Sequence, residues 1–209
     1  MLHTETIDQS TLELLKKLQS RKYLDGFFLV GGTALALLYG HRKSIDIVLF
    51  SDFSFDSGKL LENLSSDFQF QLFFSAENTI KGSINGIHVD FIAHRYPLIG
   101  QSLRVDGISI LAVEDIAAMK LNAIAVSGQR VKDFIDLYFL LDSFTLSELI
   151  SFYKQKYAQY NEVNVLKSIT WFNDVVMEDW PVVLKDKNLK WEDVKDRIVK
   201  ETENYLKQI

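Results

Sequence analysis

Hydrophobic and polar positions follow one spacing in the first half of the chain and another in the second, and the change falls near residue 112. Up to that point, short apolar runs bounded by turn residues predict strands at 27–30, 44–50, 69–74, 79–86, 87–94 and 103–112. The helices predicted between them span 8–20, 34–40 and 56–65. Beyond residue 112 the apolar positions recur with helical spacing, over 114–126, 129–144, 145–159, 163–178 and 191–207. The pattern therefore predicts an α+β domain at 1–112 and a helical domain at 113–209 that packs against it.

Glycine and proline residues support this division into elements. Asn85-Gly86 is a strong signal for a hairpin turn between two strands, and Asp106-Gly107 indicates a second turn within 103–112. Gly40 is placed to end the helix at 34–40. Trp180-Pro181 interrupts the helical pattern near the C-terminus. No internal repeat and no low-complexity linker separates the two regions.

Composition narrows the classes of protein to which the chain can belong. The sequence has 209 residues, of which 47% are hydrophobic and 24% charged, and these are ordinary values for a globular protein. It has no cysteine, which excludes disulfides, thiolate zinc sites and cysteine nucleophiles. The net charge of -5 argues against broad non-specific binding of nucleic acid, although it leaves room for a local basic patch. No apolar run approaches a membrane span and the N-terminus is polar, so we expect a cytoplasmic protein without a membrane partner.

A pair of glycines and two isolated acids are the candidates for chemistry. Gly31-Gly32-Thr33 follows a predicted strand and opens a helix, where free N–H groups and a close backbone approach suit a phosphate. More often, however, two glycines between a strand and a helix form only a tight turn that binds no ligand. Asp46 lies in the predicted strand 44–50, whose alternation places Val48 and Phe50 on its face and three apolar residues on the other, namely Ile45, Ile47 and Leu49.

An acid among apolar strand residues costs free energy unless it is paired, hydrogen-bonded or bound to a metal, although a solvent-facing strand edge would also explain Asp46. Asp90, in HVDFI, is a second acid of this kind. If their strands are neighbours, Asp46 and Asp90 can share a hard cation, since Mg²⁺ is held by one or two carboxylates together with substrate phosphates.

Residues 29–50, LVGGTALALLYGHRKSIDIVLF, resemble the start of the AbiEii/AbiGii-type nucleotidyltransferase toxins, a branch of the polymerase-β-like nucleotidyltransferase superfamily. The family pattern G-G-T-A-L-x-L, followed by H-R-x-S-x-D-[IL]-D-[LF]-F, is matched at nearly every position. Lys120 in AAMKLNAI and the run QRVKDFIDLYFL match the later family features, a helical lysine and R-x-K-D-x-x-D-[LI]. That run supplies Arg130, Lys132, Asp133 and Asp136. The resemblance implies a mixed sheet flanked by helices and followed by a C-terminal helical bundle.

The resemblance also implies a role for each matching residue. Gly31, Gly32 and Thr33 would cradle a triphosphate, Asp46 would bind the catalytic Mg²⁺ (or Mn²⁺), and Asp90 resembles the acid that aligns or activates the attacking hydroxyl while sharing the metal. Lys120 would neutralise phosphate charge, and Asp133 would orient Lys120 or the acceptor. Further nucleotide contacts are expected from Arg42, Lys43, Ser44 and Arg130.

One position departs from the family pattern. The family has a second aspartate two residues after the first, so that both carboxylates point at the same metals, and here that position is Val48. Losing one acid from a two-metal site should weaken metal binding and reduce turnover. The protein is then a degenerate nucleotide binder, a substituted form of an active enzyme, or an enzyme that works slowly with Asp46 and Asp90 alone.

The activity implied is that of a toxin in a toxin–antitoxin or phage-defence pair, which transfers a nucleotide from GTP or a pyrimidine triphosphate. The implied partners are a cognate antitoxin and an acceptor, for which tRNA is the first expectation. A nucleic-acid acceptor predicts one basic patch, formed by Arg42, Lys43, Lys120, Arg130 and Lys132. Two alternatives remain open: a catalytically dead nucleotide- or partner-binding protein, favoured by Val48, and nucleotide transfer to a small molecule in a deep acceptor cleft.

Several other polar and aromatic residues have plainer interpretations. Asp52 and Asp56 are expected in a solvated loop that caps a helix, and His94 at an exposed strand end. For His41, a nucleotide contact and a simple helix end are equally supported. The C-terminal aromatic residues are expected in the helical core rather than in a base-stacking surface, and they are Trp171, Phe172, Trp180 and Trp191.

Overall fold

Seven strands form one mixed sheet in the part of the chain that the computed structural model describes, residues 1–159 and 161–208. The strand order is β3-β4-β5-β2-β1-β7-β6, with β2 parallel to β5, β1 parallel to β7, and the other neighbours antiparallel. The strands are β1 Phe28–Leu29, β2 Ile47–Ser51, β3 Phe70–Ala76, β4 Thr79–Ile84, β5 Ile87–Ala93, β6 Leu103–Val105 and β7 Ile108–Ile110.

Two tight turns set the register of the antiparallel pairs. Asn85 and Gly86 both have positive φ, 52° and 79°, between β4 and β5. Asp106 and Gly107 repeat this geometry between β6 and β7, with φ of 54° and 81°. Two successive residues with positive φ match the right-handed twist of the flanking strands. Both predicted turns are therefore confirmed.

Eight helices flank and follow the sheet in the described residues. They are α1 Gln9–Gln19, α2 Gly31–Tyr39, α3 Ser57–Asp67, α4 Val113–Val126, α5 Val131–Leu140, α6 Leu146–Lys156, α7 Glu162–Ile169 and α8 Trp191–Leu206. As predicted, α2 ends at Gly40, which has a φ of 67°, and the side chain of Asp56 caps α3 by accepting from the Lys59 N–H at 3.0 Å. None of the helices described has the length and apolar composition to cross a membrane.

Two differences between the predicted and the observed extent of an element affect the site. The strand expected at 44–50 starts only at Ile47, which leaves Asp46 in the preceding loop. The helix expected at 163–178 ends at Ile169. The chain then runs without α-helix to Lys190, and residues 176–184 of this stretch form what we call the strap. Its backbone bonds to two distant loops, with Val176 N–H donating to Gln129 O and Leu184 N–H to His41 O, each at 2.8 Å.

The hydrophobic core runs continuously from the sheet into the C-terminal helices. Leu29, Leu49 and Phe91 on the sheet and Phe134 on α5 are fully buried in one cluster, and α2 packs against both α4 and α5. A second link is made by the buried ion pair of Lys156 and Asp115, because Lys156 Nζ also donates to the Pro97 carbonyl at 2.9 Å and Asp115 accepts from the N–H of Gly100 at 3.0 Å. The division at residue 112 stays a prediction, and residues 160 and 209 of the predicted helical domain lie outside the described residues.

Candidate active site

A cleft of about 540 Å³ opens where the start of α2, the loop before β2, the helices α4 and α5, and the strap meet. Most of the predicted site residues line this cleft. They are Gly31, Gly32, Thr33, Arg42, Lys43, Ser44, Asp46, Lys120, Arg130 and Asp133. Asp90 is not among the described residues that line it. Residues separated by as much as a hundred positions in the sequence therefore meet in one cavity.

The two glycines at the start of α2 serve different purposes. Gly31 has a φ of +73°, and a Cβ added there would meet no atom within 4 Å, so the backbone faces open space. A Cβ added at Gly32 would clash with Nη2 of Arg42. The first glycine thus leaves room for a ligand beside the first turn of α2. The second makes room for the Arg42 guanidinium.

The hydroxyl of Thr33 connects the first turn of α2 to the loop that carries Asp46. Thr33 Oγ1 lies 2.8 Å from Ser44 Oγ and donates to the backbone carbonyl of Asp46. The side chain of Thr33 is buried within these contacts. The structure therefore places the hydroxyls of Thr33 and Ser44 where they hold the backbone of Asp46, and a direct phosphate contact by either residue stays a prediction.

Asp46 points into the cleft from the loop immediately before β2. It is exposed, so the desolvation cost expected of an acid inside a strand does not arise. Val48 and Phe50 line the same cleft and Ile47 and Leu49 are buried on the other face, as the alternation predicted. The prediction was wrong for Ile45, which is 62% exposed because the strand has not yet begun at that residue.

Asp90 lies beside Val48 on the neighbouring parallel strand. The register pairs Val48 with Asp90, and Asp90 in turn with Lys81 of β4, so the three side chains share one face of the sheet. Lys81 Nζ is 3.6 Å from Asp90 Oδ2. Burial raises the pKa of Asp90 and the charge of Asp46 raises it further, while Lys81 opposes the shift. Asp46 and Asp90 are therefore near enough for their charges to interact.

The residues present fit one hard cation better than two. The carboxylate of Asp46 has no hydrogen-bond or ion-pair partner among the residues described, so it is available to a ligand. Asp90 could supply a second oxygen, and substrate phosphates complete such a shell. Val48 offers no oxygen at the position between them, and no group of three His, Cys, Asp or Glu side chains with metal-binding geometry occurs in 1–159 and 161–208.

A buried ionic network forms the floor of the cleft around Asp136. Asp136 Oδ1 accepts from Nε of Arg42 at 2.6 Å and from Nε2 of His41 at 2.8 Å, while Oδ2 accepts from Nη2 of Arg42 at 2.9 Å. Lys120 Nζ lies 2.7 Å from Asp136 Oδ2 and 2.6 Å from Asp133 Oδ1. All five side chains are almost fully buried, and two cations offset two carboxylates.

The electrostatics of this network keep its members in fixed charge states. Burial alone raises the pKa of Asp136, but Arg42 and Lys120 outweigh it and hold that pKa well below the usual value. Burial lowers the pKa of His41, so its imidazole is neutral. Its Nε2–H group donates a hydrogen bond to the carboxylate of Asp136. Burial lowers the pKa of Lys120 as well, yet Asp133 and Asp136 reverse this and raise it. Lys120 thus stays an ammonium at the edge of the cleft.

No role was expected for Asp136, and the role of His41 was left undecided. Asp136 is the last acid of the R-x-K-D-x-x-D run, so the signal was present in the motif. The motif does not show which residues Asp136 binds, because His41 and Arg42 lie 95 and 94 positions away from it in the sequence. Arg42, expected to contact nucleotide, uses its remaining Nη1 on the Lys43 carbonyl at 3.0 Å.

The predicted basic patch is gathered in one place, since all five of its residues line the cleft. Arg42 and Lys120 are neutralised by the buried acids, however, so the accessible positive charge comes from the other three. Lys43 and Arg130 have no ion-pair partner among the described residues, and Lys132 lies 3.9 Å from Asp179 of the strap. Three exposed acids, Asp46, Glu178 and Asp179, also line the cleft, so its accessible positive and negative charges balance.

Aromatic side chains line the cleft in two places. The ring of Phe50 stacks on the ring of His94, with 5.1 Å between their centroids, and His94 Nε2 is 2.9 Å from the Tyr157 hydroxyl. Burial and the charge of Lys156 lower the pKa of His94 to about 4, so the expected exposed strand end was wrong for this residue. Among the C-terminal aromatics, Phe172 and Trp191 pack on Phe134 in the helical core as predicted.

The prediction of a core position was wrong for Trp171, and it was right only in part for Trp180, which packs against the core from a segment that is not helical. Trp171 is 56% exposed outside the cleft, and Trp180 of the strap lines the cleft.

Known proteins share this sequence pattern and this fold. The model of a family described as nucleotidyl transferase AbiEii toxin, type IV TA system, matches residues 13–106 and 87–207. The uncharacterised protein aq_aa25 of Aquifex aeolicus (strain VF5) is 33% identical over 200 residues, which cover 93% of this chain and 95% of that protein.

Two solved structures have similar folds at low sequence identity. MenT4, the nucleotidyltransferase toxin Rv2826c from Mycobacterium tuberculosis H37Rv, matches with a TM-score of 0.62 and 14% identity, over 92% of this chain and 80% of that one. JHP933 from Helicobacter pylori matches with a TM-score of 0.57 and 18% identity, over 97% and 94% of the two chains. The expected α+β nucleotidyltransferase fold is thereby confirmed, and because the family match extends over nearly the whole sequence, the chain belongs to the AbiEii family of nucleotidyltransferase toxins.

Proposed function

We propose that the cleft binds a nucleoside triphosphate with Mg²⁺ (or Mn²⁺) and transfers its nucleotide to an acceptor hydroxyl, with tRNA as the first acceptor to test. The observation that carries the proposal is the meeting of the Gly31 turn, Asp46 and the Lys120–Asp133 pair in one cleft. In the transfer, the acceptor oxygen forms a bond to the α-phosphorus while the bond to the departing pyrophosphate breaks. Catalysis of this reaction is chiefly positioning and charge neutralisation.

The triphosphate is assigned to the first turn of α2. The N–H groups of that turn have no helical partners, and the space beside Gly31 is open. Lys43 and Arg130 add positive charge at the same cleft. Each of these groups stabilises phosphate oxygens by its charge or by the N–H hydrogen bonds that it donates.

Asp46 and Asp90 would hold the metal ion, and the ion when bound would neutralise charge on the phosphates. Asp46 is the accessible ligand and Asp90 the adjacent one on the same sheet face. Thr33 and Ser44 act on Asp46 indirectly, since they fix the backbone that presents its carboxylate. We assign Asp90 the further role of aligning the attacking hydroxyl.

Lys120 is proposed to contact the phosphates, and Asp133 to orient it. Lys120 is held between two carboxylates at 2.6 and 2.7 Å, so its ammonium is fixed in direction before a ligand arrives. Arg42 and Asp136 are positioning residues, because their hydrogen bonds are directed at each other and at Lys43 and Lys120. Preorganised charge of this kind needs little rearrangement during the reaction.

A second candidate function is supported by Val48 alone. With a valine at the position between Asp46 and Asp90, the chain would bind nucleotide, or a protein such as an antitoxin, without turnover. Calorimetry with Mg²⁺ and each of the four ribonucleoside triphosphates separates the two proposals when it is combined with an assay for product.

The decisive experiment incubates the protein with α-phosphate-labelled triphosphates and tRNA, and follows label in the RNA. Wild type should label tRNA, and Asp46→Asn should lose at least tenfold in rate. Asp52→Asn is the matched control, because Asp52 is an exposed acid just beyond β2 that does not line the cleft. Binding without labelled product would favour the binding protein. Absence of nucleotide binding, or equal activity of wild type and Asp46→Asn, would refute the assignment of this site.

A further inference from the structure

Trp180 is the one tryptophan that lines the cleft within the described residues, and its position in the chain is unusual. It follows the short 3-10 turn Met177–Asp179 and precedes the buried Pro181, on a strap that is otherwise largely exposed. Trp180 N–H donates to the Met177 carbonyl at 3.1 Å, which fixes the backbone at this point. The indole is partly buried and packs against the hydrophobic core, but unlike Trp191 it has no ring partner among the described aromatic pairs.

The strap holds Trp180 next to the elements assigned to the phosphates. Lys43 N–H donates to the Val182 carbonyl at 2.8 Å, two residues beyond Trp180, and Lys132 Nζ is 3.9 Å from the Asp179 carboxylate, one residue before it. Trp180 is therefore anchored on both sides to residues that carry positive charge into the cleft.

Apolar surface at this side of the cleft is exposed without a partner. Val182 is 65% exposed and Ile45 62% exposed, and both line the cleft together with Trp180. Large apolar side chains that stay exposed in one place indicate a surface that a ligand covers. The other aromatic residues of the cleft already pack on one another, as Phe50 does on His94 and His94 on Tyr157.

From these contacts we infer that Trp180 stacks on the base of the bound nucleotide, with Ile45 and Val182 forming the apolar side of the base site. The inference rests on the proposed function, since it divides the cleft into a phosphate end at Gly31 and a base end on the strap. Every nucleobase has a π-face, so stacking alone binds purines and pyrimidines alike. The strap thereby contributes affinity for the nucleotide, while contacts with base edges would decide which one is preferred.

The test compares a nucleotide with a ligand that has no base. Binding of GTP, CTP and inorganic tripolyphosphate is measured by calorimetry with Mg²⁺ for wild type, Trp180→Ala, Trp180→Phe and Trp171→Ala. Stacking on an aromatic ring contributes about tenfold in affinity or more, so Trp180→Ala should raise the Kd of GTP and CTP by about that factor. The Kd of tripolyphosphate should not change. Trp180→Phe should stay within about threefold of wild type, because it keeps a ring.

Trp171→Ala is the matched control, because Trp171 is an exposed tryptophan outside this cleft, and it should behave as wild type. Tryptophan fluorescence gives a second measurement: nucleotide should quench wild type and Trp171→Phe but not Trp180→Phe. If Trp180→Ala binds GTP as wild type does, or weakens tripolyphosphate equally, the stacking role is wrong while the phosphate site stands. If wild type binds neither nucleotide nor tripolyphosphate, the proposed function itself fails.

Discussion

Asp136 is fully buried, and its carboxylate binds Arg42, Lys120 and His41 at the same time. A buried charge network of this kind contributes little net stability when complete, because the desolvation of each ion offsets the attraction between them. It becomes costly when one member is removed and the others remain charged. The residue therefore matters most for the rigid placement of Lys120 and of the loop that leads to Asp46.

Asp136→Asn should lower the free energy of unfolding by about 3–5 kcal/mol, because it leaves two buried cations with one carboxylate. Urea unfolding followed by circular dichroism measures this. Asp142→Asn is the control, since Asp142 also binds two cations, Lys185 and Arg197, but at the surface, where such pairs contribute about 0–1 kcal/mol each. Equal effects of the two substitutions would contradict the role assigned to the buried network.

Stability should fall as the pH is lowered below about 6.5, the unperturbed histidine pKa. Burial lowers the pKa of His94 to about 4 and that of His41 below its usual value, so the unfolded chain takes up protons first and is favoured by acid. Asp136, whose pKa is also depressed, adds to the loss only below about pH 4. Urea unfolding at several pH values measures how the free energy of unfolding depends on pH. Between pH 6.5 and 4, His94→Gln should reduce the number of protons taken up on unfolding by up to about one. An unchanged slope would show that His94 does not titrate as described.

Val48→Asp should raise the rate of nucleotide transfer at least about tenfold, equivalent to about 1.4 kcal/mol of transition-state stabilisation. The new carboxylate would lie beside Asp90 in the register and on the same face as Asp46. Single-turnover labelling of tRNA at varied Mg²⁺ measures both rate and metal affinity. Val48→Asn controls for polarity without charge and should give a much smaller gain. No gain with either substitution would show that position 48 does not limit activity.

At the scale of elements, the start of α2 is the junction on which the site depends. Its first residue opens toward the cleft, its second admits the Arg42 guanidinium, and its third holds the Asp46 backbone. Three consecutive residues thus connect the helix to the buried network and to the acid of the site. The contact with the Arg42 guanidinium is enough to require a small residue at Gly32.

Gly32→Ala should destabilise the fold by about 1–3 kcal/mol, because the added methyl displaces a guanidinium that cannot move without leaving Asp136. Thermal or urea unfolding measures the loss. When Arg42 is already replaced by alanine, adding Gly32→Ala should lower the free energy of unfolding by less than about 0.5 kcal/mol relative to Arg42→Ala alone. If the two costs simply add, Gly32 and Arg42 do not interact as described.

Most elements could be predicted from local sequence, because local chemistry decides them. Asn85-Gly86 and Asp106-Gly107 specify their turns by the positive φ that they tolerate, and Gly40 ends its helix for the same reason. The strap could not be predicted in this way. Trp171, Phe172, Val175 and Val176 have helical spacing, but their segment is held by bonds to residues 41 and 129, which are distant in sequence. For the same reason, the position of Trp180 in the cleft could not be predicted. The role of Asp136 could not be predicted either, because its partner His41 is distant in the sequence.

The net charge of the whole molecule is negative, whereas positive and negative side chains are mixed in the cleft. The chain carries a net charge of -5, while the accessible side of the cleft offers Lys43, Arg130 and Lys132. A nucleic acid is therefore attracted locally and repelled by much of the remaining surface. Such a protein is expected to select a short segment or an end of the acceptor rather than a long stretch of its backbone.

Binding of tRNA should depend only weakly on salt. If the three accessible cations neutralise about three phosphates, the slope of log K against log salt concentration should be about -2 to -3. Fluorescence anisotropy with labelled tRNA at several salt concentrations measures it. Lys43→Ala should reduce the slope by about one, whereas Lys17→Ala, on an exposed position of α1 outside the cleft, should leave it unchanged. A slope steeper than about -6 would indicate a much larger nucleic-acid surface than the cleft.

The strap has a consequence for the synthesis of the protein. Its residues 176–184 complete the wall of a cleft whose opposite side is made at residues 31–46, so nearly the entire chain must leave the ribosome before the cavity can close. A product that terminates early in translation contains the glycine turn and both candidate metal ligands, but it lacks this wall and Trp180. Because the site is assembled this late, the proposed nucleotide transfer is expected only from chains that already include the strap.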